Sequence, residues 1–154
     1  MNFFTDLVQN KVLLSAVSGW LIAQILKTLI HLFFTKKFVA ERLVGSGGMP
    51  SSHAATVCAL ATAAGLEFGG GSFEFAVAVI LAIIVMHDAR GVRRETGIQA
   101  RILNEMMETF RKMGNKMTAE ERLKEFVGHT PLQVLVGALL GILIGAGTWW
   151  LMNQ

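Results

Sequence analysis

Residues 12–34 form an apolar run of 23 residues interrupted by one formal charge, Lys27. As a helix this run would be about 34 Å long, enough to cross a hydrocarbon core of ~30 Å. It does not read as a cleaved signal peptide, because Gln24, Lys27 and His31 lie inside it, no small-residue cleavage site follows, and it exceeds a secretory apolar region in length. The whole chain agrees with a membrane setting. Its 154 residues are 53% hydrophobic, and the mean hydropathy is +0.51, too oily for an ordinary soluble protein of this size. The charged residues, 16% of the total, gather in residues 36–42 and 88–125. A disordered tail and a soluble nucleic-acid binder are thereby excluded. The net charge of +3 points instead to anionic headgroups or phosphate substrates. The single cysteine, Cys58, allows no internal disulfide and no cysteine-based zinc site, and reads as a small buried hydrophobe.

Three further apolar runs follow, at residues 54–66, 73–86 and 131–152. The middle two are short and need their flanks, tilt or local thinning to cross; a re-entrant pair is the alternative. The last run is long enough, and Trp149 and Trp150 near its end suit an interface. The expectation is an all-α integral membrane bundle, one domain over residues 1–154, with spans near 12–34, 52–67, 73–87 and 131–152. Four crossings put residues 35–52 and 87–130 on one side, with 12 of the 14 Lys and Arg residues, so the positive-inside rule makes that side cytoplasmic. Within residues 88–130, Ile98, Ile102, Leu103, Met106 and Phe110 recur at helical spacing between charges, predicting an amphipathic helix on the membrane or capping the bundle.

Three clusters carry chemistry. Residues 45–53, Gly-Ser-Gly-Gly-Met-Pro-Ser-Ser-His, are a glycine-rich loop entering a helix: a phosphate cradle rimmed by His53, or ordinary helix-start punctuation. Residues 88–94 hold Arg90, Arg93 and Arg94, which can clamp phosphate oxygens or anchor the topology at a headgroup. Residues 128–133 open the last span with Thr130 as N-cap and Pro131 at the first helical position; His129 and Gln133 are four apart and can share a face. The positive helix end there favours a neutral, nucleophilic imidazole. The topology delivers all three clusters to one face. Lys27 and His31, inside the first span, can join them, although Lys27 can also snorkel to the interface.

These residues resemble a known family. Pro50-Ser51-Ser52-His53 is similar to the P-S-G-H motif of the type 2 phosphatidic acid phosphatase and vanadium haloperoxidase superfamily. The strings GGMPSSHAA, DARGVRR and GHTPLQV, in that order, resemble its divergent small membrane branch. The resemblance implies metal-independent phosphomonoester hydrolysis, with His129 as the nucleophile that becomes a phosphohistidine and His53 as the acid for the leaving alkoxide. It also implies a carboxylate where this chain has Gln133, an arginine where it has Leu123 between Arg122 and Lys124, and a K-x6-R-P motif that this chain lacks. Lys27, Arg93 and Arg94, with Ser51 and Ser52, are assigned to the phosphate on physical grounds.

The expected function is hydrolysis of a membrane lipid phosphate, such as phosphatidylglycerol phosphate, phosphatidic acid or an isoprenoid phosphate, at the cytoplasmic face. No cofactor or metal is expected, and the partners are the lipid substrate and the bilayer, with homo-oligomerisation compatible. Two alternatives stand beside it: a non-catalytic lipid-phosphate-binding or scaffold protein, and a small membrane carrier using Lys27 and His31.

Overall fold

The structure, a computed structural model, describes residues 2–37, 48–113, 123 and 128–154, with backbone alone for residues 92–94. Six helices make up the described chain: α1 (Phe3–Gln9), α2 (Lys11–Thr35), α3 (Ser52–Phe68), α4 (Phe73–Arg90), α5 (Val92–Lys112) and α6 (Pro131–Leu151). Among the described residues there is no strand. The three longer apolar runs of the bundle explain themselves: α2, the helical stretch Phe73–Lys112 that α4 opens, and α6 are each long and apolar enough to cross a membrane. α1 was not expected; its seven residues leave Phe3 and Phe4 exposed.

α3 is the fourth bundle helix and stands at its centre. At 17 residues it is about 25 Å long, short for a helix facing lipid, yet α2, α4 and α6 all pack on it. Its buried positions are Ala54, Ala55, Ala59, Ala63 and Ala64 with Ser52, Val57 and Cys58. Glycines on the neighbours let their backbones approach. A Cβ on Gly19 of α2 would meet the Ala55 carbonyl oxygen at 2.9 Å, and one on Gly145 of α6 the Ala59 carbonyl oxygen at 2.6 Å. Gly137 and Gly141 press in the same way on the carbonyls of Ser51 and Ala55. The pairings 137 with 51, 141 with 55 and 145 with 59 advance together, so α3 and α6 run parallel.

α4 returns antiparallel to α3. The Phe75 ring packs on Gly65 at one end, Cys58 Sγ lies 3.8 Å from Met86 Sδ nearer the other, and Ala54, Ala89 and Val134 close that other end. Both helices run the length of the bundle.

Small residues inside and large ones outside give the bundle its solvent. Leu21, Ile25 and Leu29 of α2, Ile80, Ile83 and Ile84 of α4, and Leu135, Leu139 and Leu143 of α6 are all exposed. Water would penalise that surface, whereas lipid is as apolar as leucine and rewards close backbone packing of small residues.

One end of the bundle is held by polar contacts. Lys11 Nζ reaches both Glu67 carboxylate oxygens at 3.3 Å and donates to Asn153 Oδ1 at 2.7 Å, while Trp149 Nε1 donates to Glu67 Oε2 at 2.6 Å. The start of α2 and the ends of α3 and α6 meet there. The opposite end therefore collects the residues that leave α2, enter α3, leave α4 and enter α6, which is where the described parts of the three sequence clusters fall.

Candidate functional site

Ser51 starts the site. It is the N-cap of α3, its Oγ accepting from the Ala54 N–H at 3.3 Å, and the next two residues, Ser52 and His53, form the first turn. Ser51 is fully buried and Ser52 nearly so. The Ser51 N–H donates to the Gln133 carbonyl at 3.0 Å. That bond ties the start of α3 to the start of α6.

His129 arrives from the other side. Gly128 precedes it at φ +102°, a left-handed turn that glycine enters without steric cost, and the His129 N–H donates to the Ala89 carbonyl at 3.0 Å. The last turn of α4 thus fixes the height at which His129 enters. Its side chain is 1% exposed. The His53 and His129 rings stand edge to face, their centroids 5.5 Å apart and their planes at 80°. Two imidazoles 76 positions apart in the chain thus meet in ring contact.

α6 begins with a capping box. Thr130 Oγ1 accepts from the Gln133 N–H at 3.3 Å, and Gln133 Oε1 accepts from the Thr130 N–H at 3.0 Å. Gln133 therefore directs its carbonyl oxygen to the backbone of Thr130. The T-x-x-Q signature for this was in the sequence, although the expected partner of Gln133 there was His129.

Because α3 and α6 are parallel, their N-termini lie side by side. Each carries the partial positive charge of a helix start, although side chains already cap the Ala54 and Gln133 N–H groups and Pro131 has none to offer. Lys27 brings an amine to the same end. It lies two turns beyond Gly19 on α2, about 12 Å along the axis, which from the Gly19–Ala55 contact brings it level with the loop entering α3. Its side chain is 2% exposed, so it is enclosed by the bundle. His31, one turn further, is half-buried. The side chains of Arg93 and Arg94, and Gly45, Ser46, Gly47, Arg122 and Lys124, lie outside the described residues.

Two residues of this end were missed in the sequence. Gln24, three before Lys27, is 3% exposed, and among the described residues its Oε1 has no hydrogen-bond partner. Asn104 of α5, also buried, donates from Nδ2 to the Leu123 carbonyl at 2.9 Å and accepts the Leu123 N–H at 3.0 Å. It grips the backbone six residues before His129. Among the described residues, no three His, Cys, Asp or Glu side chains are grouped to hold a metal ion.

A profile of the Divergent PAP2 family matches residues 8–144. The chain is also similar to the uncharacterized membrane protein YuiD of Bacillus subtilis (strain 168), 38% identical over 148 residues that cover 90% of this chain and 94% of the relative. No solved structure matches it. The matched span takes in α2, α3, α4, the first two thirds of α6, and both His53 and His129, and the chain belongs to the divergent PAP2 family of membrane proteins.

Proposed function

We propose that the protein hydrolyses the phosphomonoester of a membrane lipid phosphate through a phosphohistidine. The observation that carries this reading is the meeting of His53 and His129 at an end of the bundle where two helix N-termini and buried Lys27 favour an anion. Dianionic phosphate suits such a place, and an adjoining bilayer supplies its lipid esters.

A ring nitrogen of His129 attacks phosphorus, the bond from phosphorus to the lipid oxygen breaks, and the departing alkoxide takes a proton from His53. Water then adds to the phosphorus held on His129, gives its proton to the now neutral His53, and inorganic phosphate leaves. Lys27 and the α3 N-terminus neutralise the phosphoryl oxygens. The Ser51 hydroxyl, which accepts from Ala54, keeps its own proton to donate, and Ser52, Arg93 and Arg94 complete the clamp. Gln133 acts as a positioning residue, setting the start of the helix that carries His129. The site opens on the cytoplasmic face, following the basic residues.

Phosphate release from phosphatidylglycerol phosphate, phosphatidic acid and isoprenoid phosphates in detergent with EDTA tests the reading. Release by the wild type and none by His129→Ala is expected. The oxygen of Gln133 spent on a cap, with no carboxylate in its place, favours a second reading, a lipid-phosphate-binding protein without turnover. Binding without release selects that one.

A further inference from the structure

We propose that α5 lies in the plane of the bilayer interface, its apolar arc in the acyl boundary and its basic residues among anionic lipid headgroups. The helix has three faces. Gly97, Ala100 and Asn104 are buried, and Asn104 holds the Leu123 backbone. Arg101, Glu105, Glu108 and Lys112 form a charged strip at i, i+4, i+7 and i+11. The third arc, Ile98, Ile102, Leu103, Met106, Phe110 and Met113, is exposed from 39% to 74%.

The chain itself says what covers that arc. Gly91 is both the last cap of α4 and the first of α5, so α5 leaves a membrane-crossing helix through a single residue. Its first turn must sit at the edge of the same lipid that covers Ile80, Ile83 and Ile84. A helix of 21 residues extends about 31 Å, and the buried arc, turned away from the apolar one, keeps the protein on its other side. Outside the proposed phosphate clamp, residues 90–112 hold four basic and three acidic side chains, with Lys112 paired to Glu108 at 3.2 Å, a slight basic excess that complements anionic lipid. An open depression on this arc is lined by Ile102, Met106, Phe110 and Met113, with Glu105 and Thr109 at its polar edge. The Gly91 joint also links this contact to the site, since Ala89, two residues earlier, accepts the His129 N–H.

The full-length protein in vesicles of phosphatidylcholine, with or without phosphatidylglycerol, tests the proposal without any readout of turnover. On a Cys58→Ala background, an environment-sensitive fluorophore is attached to Met106→Cys or Glu108→Cys, with Leu103→Cys as a second reporter of the apolar arc should the first fail to fold. Blue-shifted emission at 106 or 103, quenched several-fold more strongly by shallow spin-labelled lipid than at 108, and enhanced by phosphatidylglycerol, is expected. Water-like, unquenched emission at 106 and 103 overturns the proposal, as does equal quenching at 108. Shielding without quenching, with disulfide formation between copies through Met106→Cys, assigns the arc to a second copy instead. Indifference to phosphatidylglycerol removes the headgroup contact.

Discussion

Gln133 and Thr130 bind each other twice at the start of α6, amide oxygen to backbone N–H at 3.0 Å and backbone N–H to hydroxyl oxygen at 3.3 Å. The carboxylate that the resemblance implies at this position would fit the same box, because glutamate caps as well as glutamine and also complements the helix dipole. Gln133→Glu is therefore expected to keep thermal stability in detergent. Its second oxygen remains free to stabilise an imidazolium, and turnover on a lipid phosphate should rise at neutral pH. Gln133→Ala loses the cap, worth about 1 kcal/mol, and should melt earlier without gaining activity.

The glycines of α6 give a sharper stability test. A Cβ at Gly141 collides with the Ala55 carbonyl, and neither partner is a flexible side-chain end, whereas a Cβ at Gly147 meets nothing within 4 Å. Gly141→Ala should destabilise the bundle by roughly 1–3 kcal/mol, the usual cost of overpacking. Gly147→Ala, in open space on the same helix, should be neutral or slightly stabilising. Thermal unfolding followed by circular dichroism in one detergent checks both.

Gln24 separates stability from function. Its Oε1 is buried without a hydrogen-bond partner among the described residues, so Gln24→Met removes an unsatisfied polar atom and should stabilise the protein by about 1 kcal/mol. If that oxygen accepts a hydrogen bond from the lipid substrate, KM rises in the same variant. A stabilised variant with unchanged KM would remove Gln24 from the substrate path.

Sidedness is checked by an impermeant maleimide on intact cells with Cys58→Ala. Gly70→Cys, in the exposed α3–α4 turn, is expected to label from outside. Lys37→Cys and Arg101→Cys, exposed at the other end, should label only after permeabilisation. The reverse pattern would put the site on the outer face.

The bundle was legible because the bilayer selects for unbroken apolar runs: α2 and α4 cover the runs read from residues 12–34 and 73–86, and α6 covers all but the last residue of 131–152. The central place of α3 was less visible, since an alanine-rich stretch of 17 residues is distinguished from a re-entrant segment only by what packs on it. Of the site, His53, His129, Ser51 and Lys27 could be gathered because topology alone sends their segments to one end. The Asn104–Leu123 pair could not, for a side chain gripping backbone 19 residues away leaves no periodic trace. Gln133 was ambiguous because its spacing fits two partners, the histidine before the helix and the cap residue, and in the fold the backbone of Thr130 takes its oxygen.

The central claim is that His129 carries the phosphoryl group, and rapid quench of the protein with a radiolabelled lipid phosphate tests it most directly. The account predicts a labelled protein stable to alkali and labile to acid, with the label on the peptide containing His129 and absent in His129→Ala. Turnover persisting in His129→Ala, or a phosphoenzyme mapped to another residue, would contradict it.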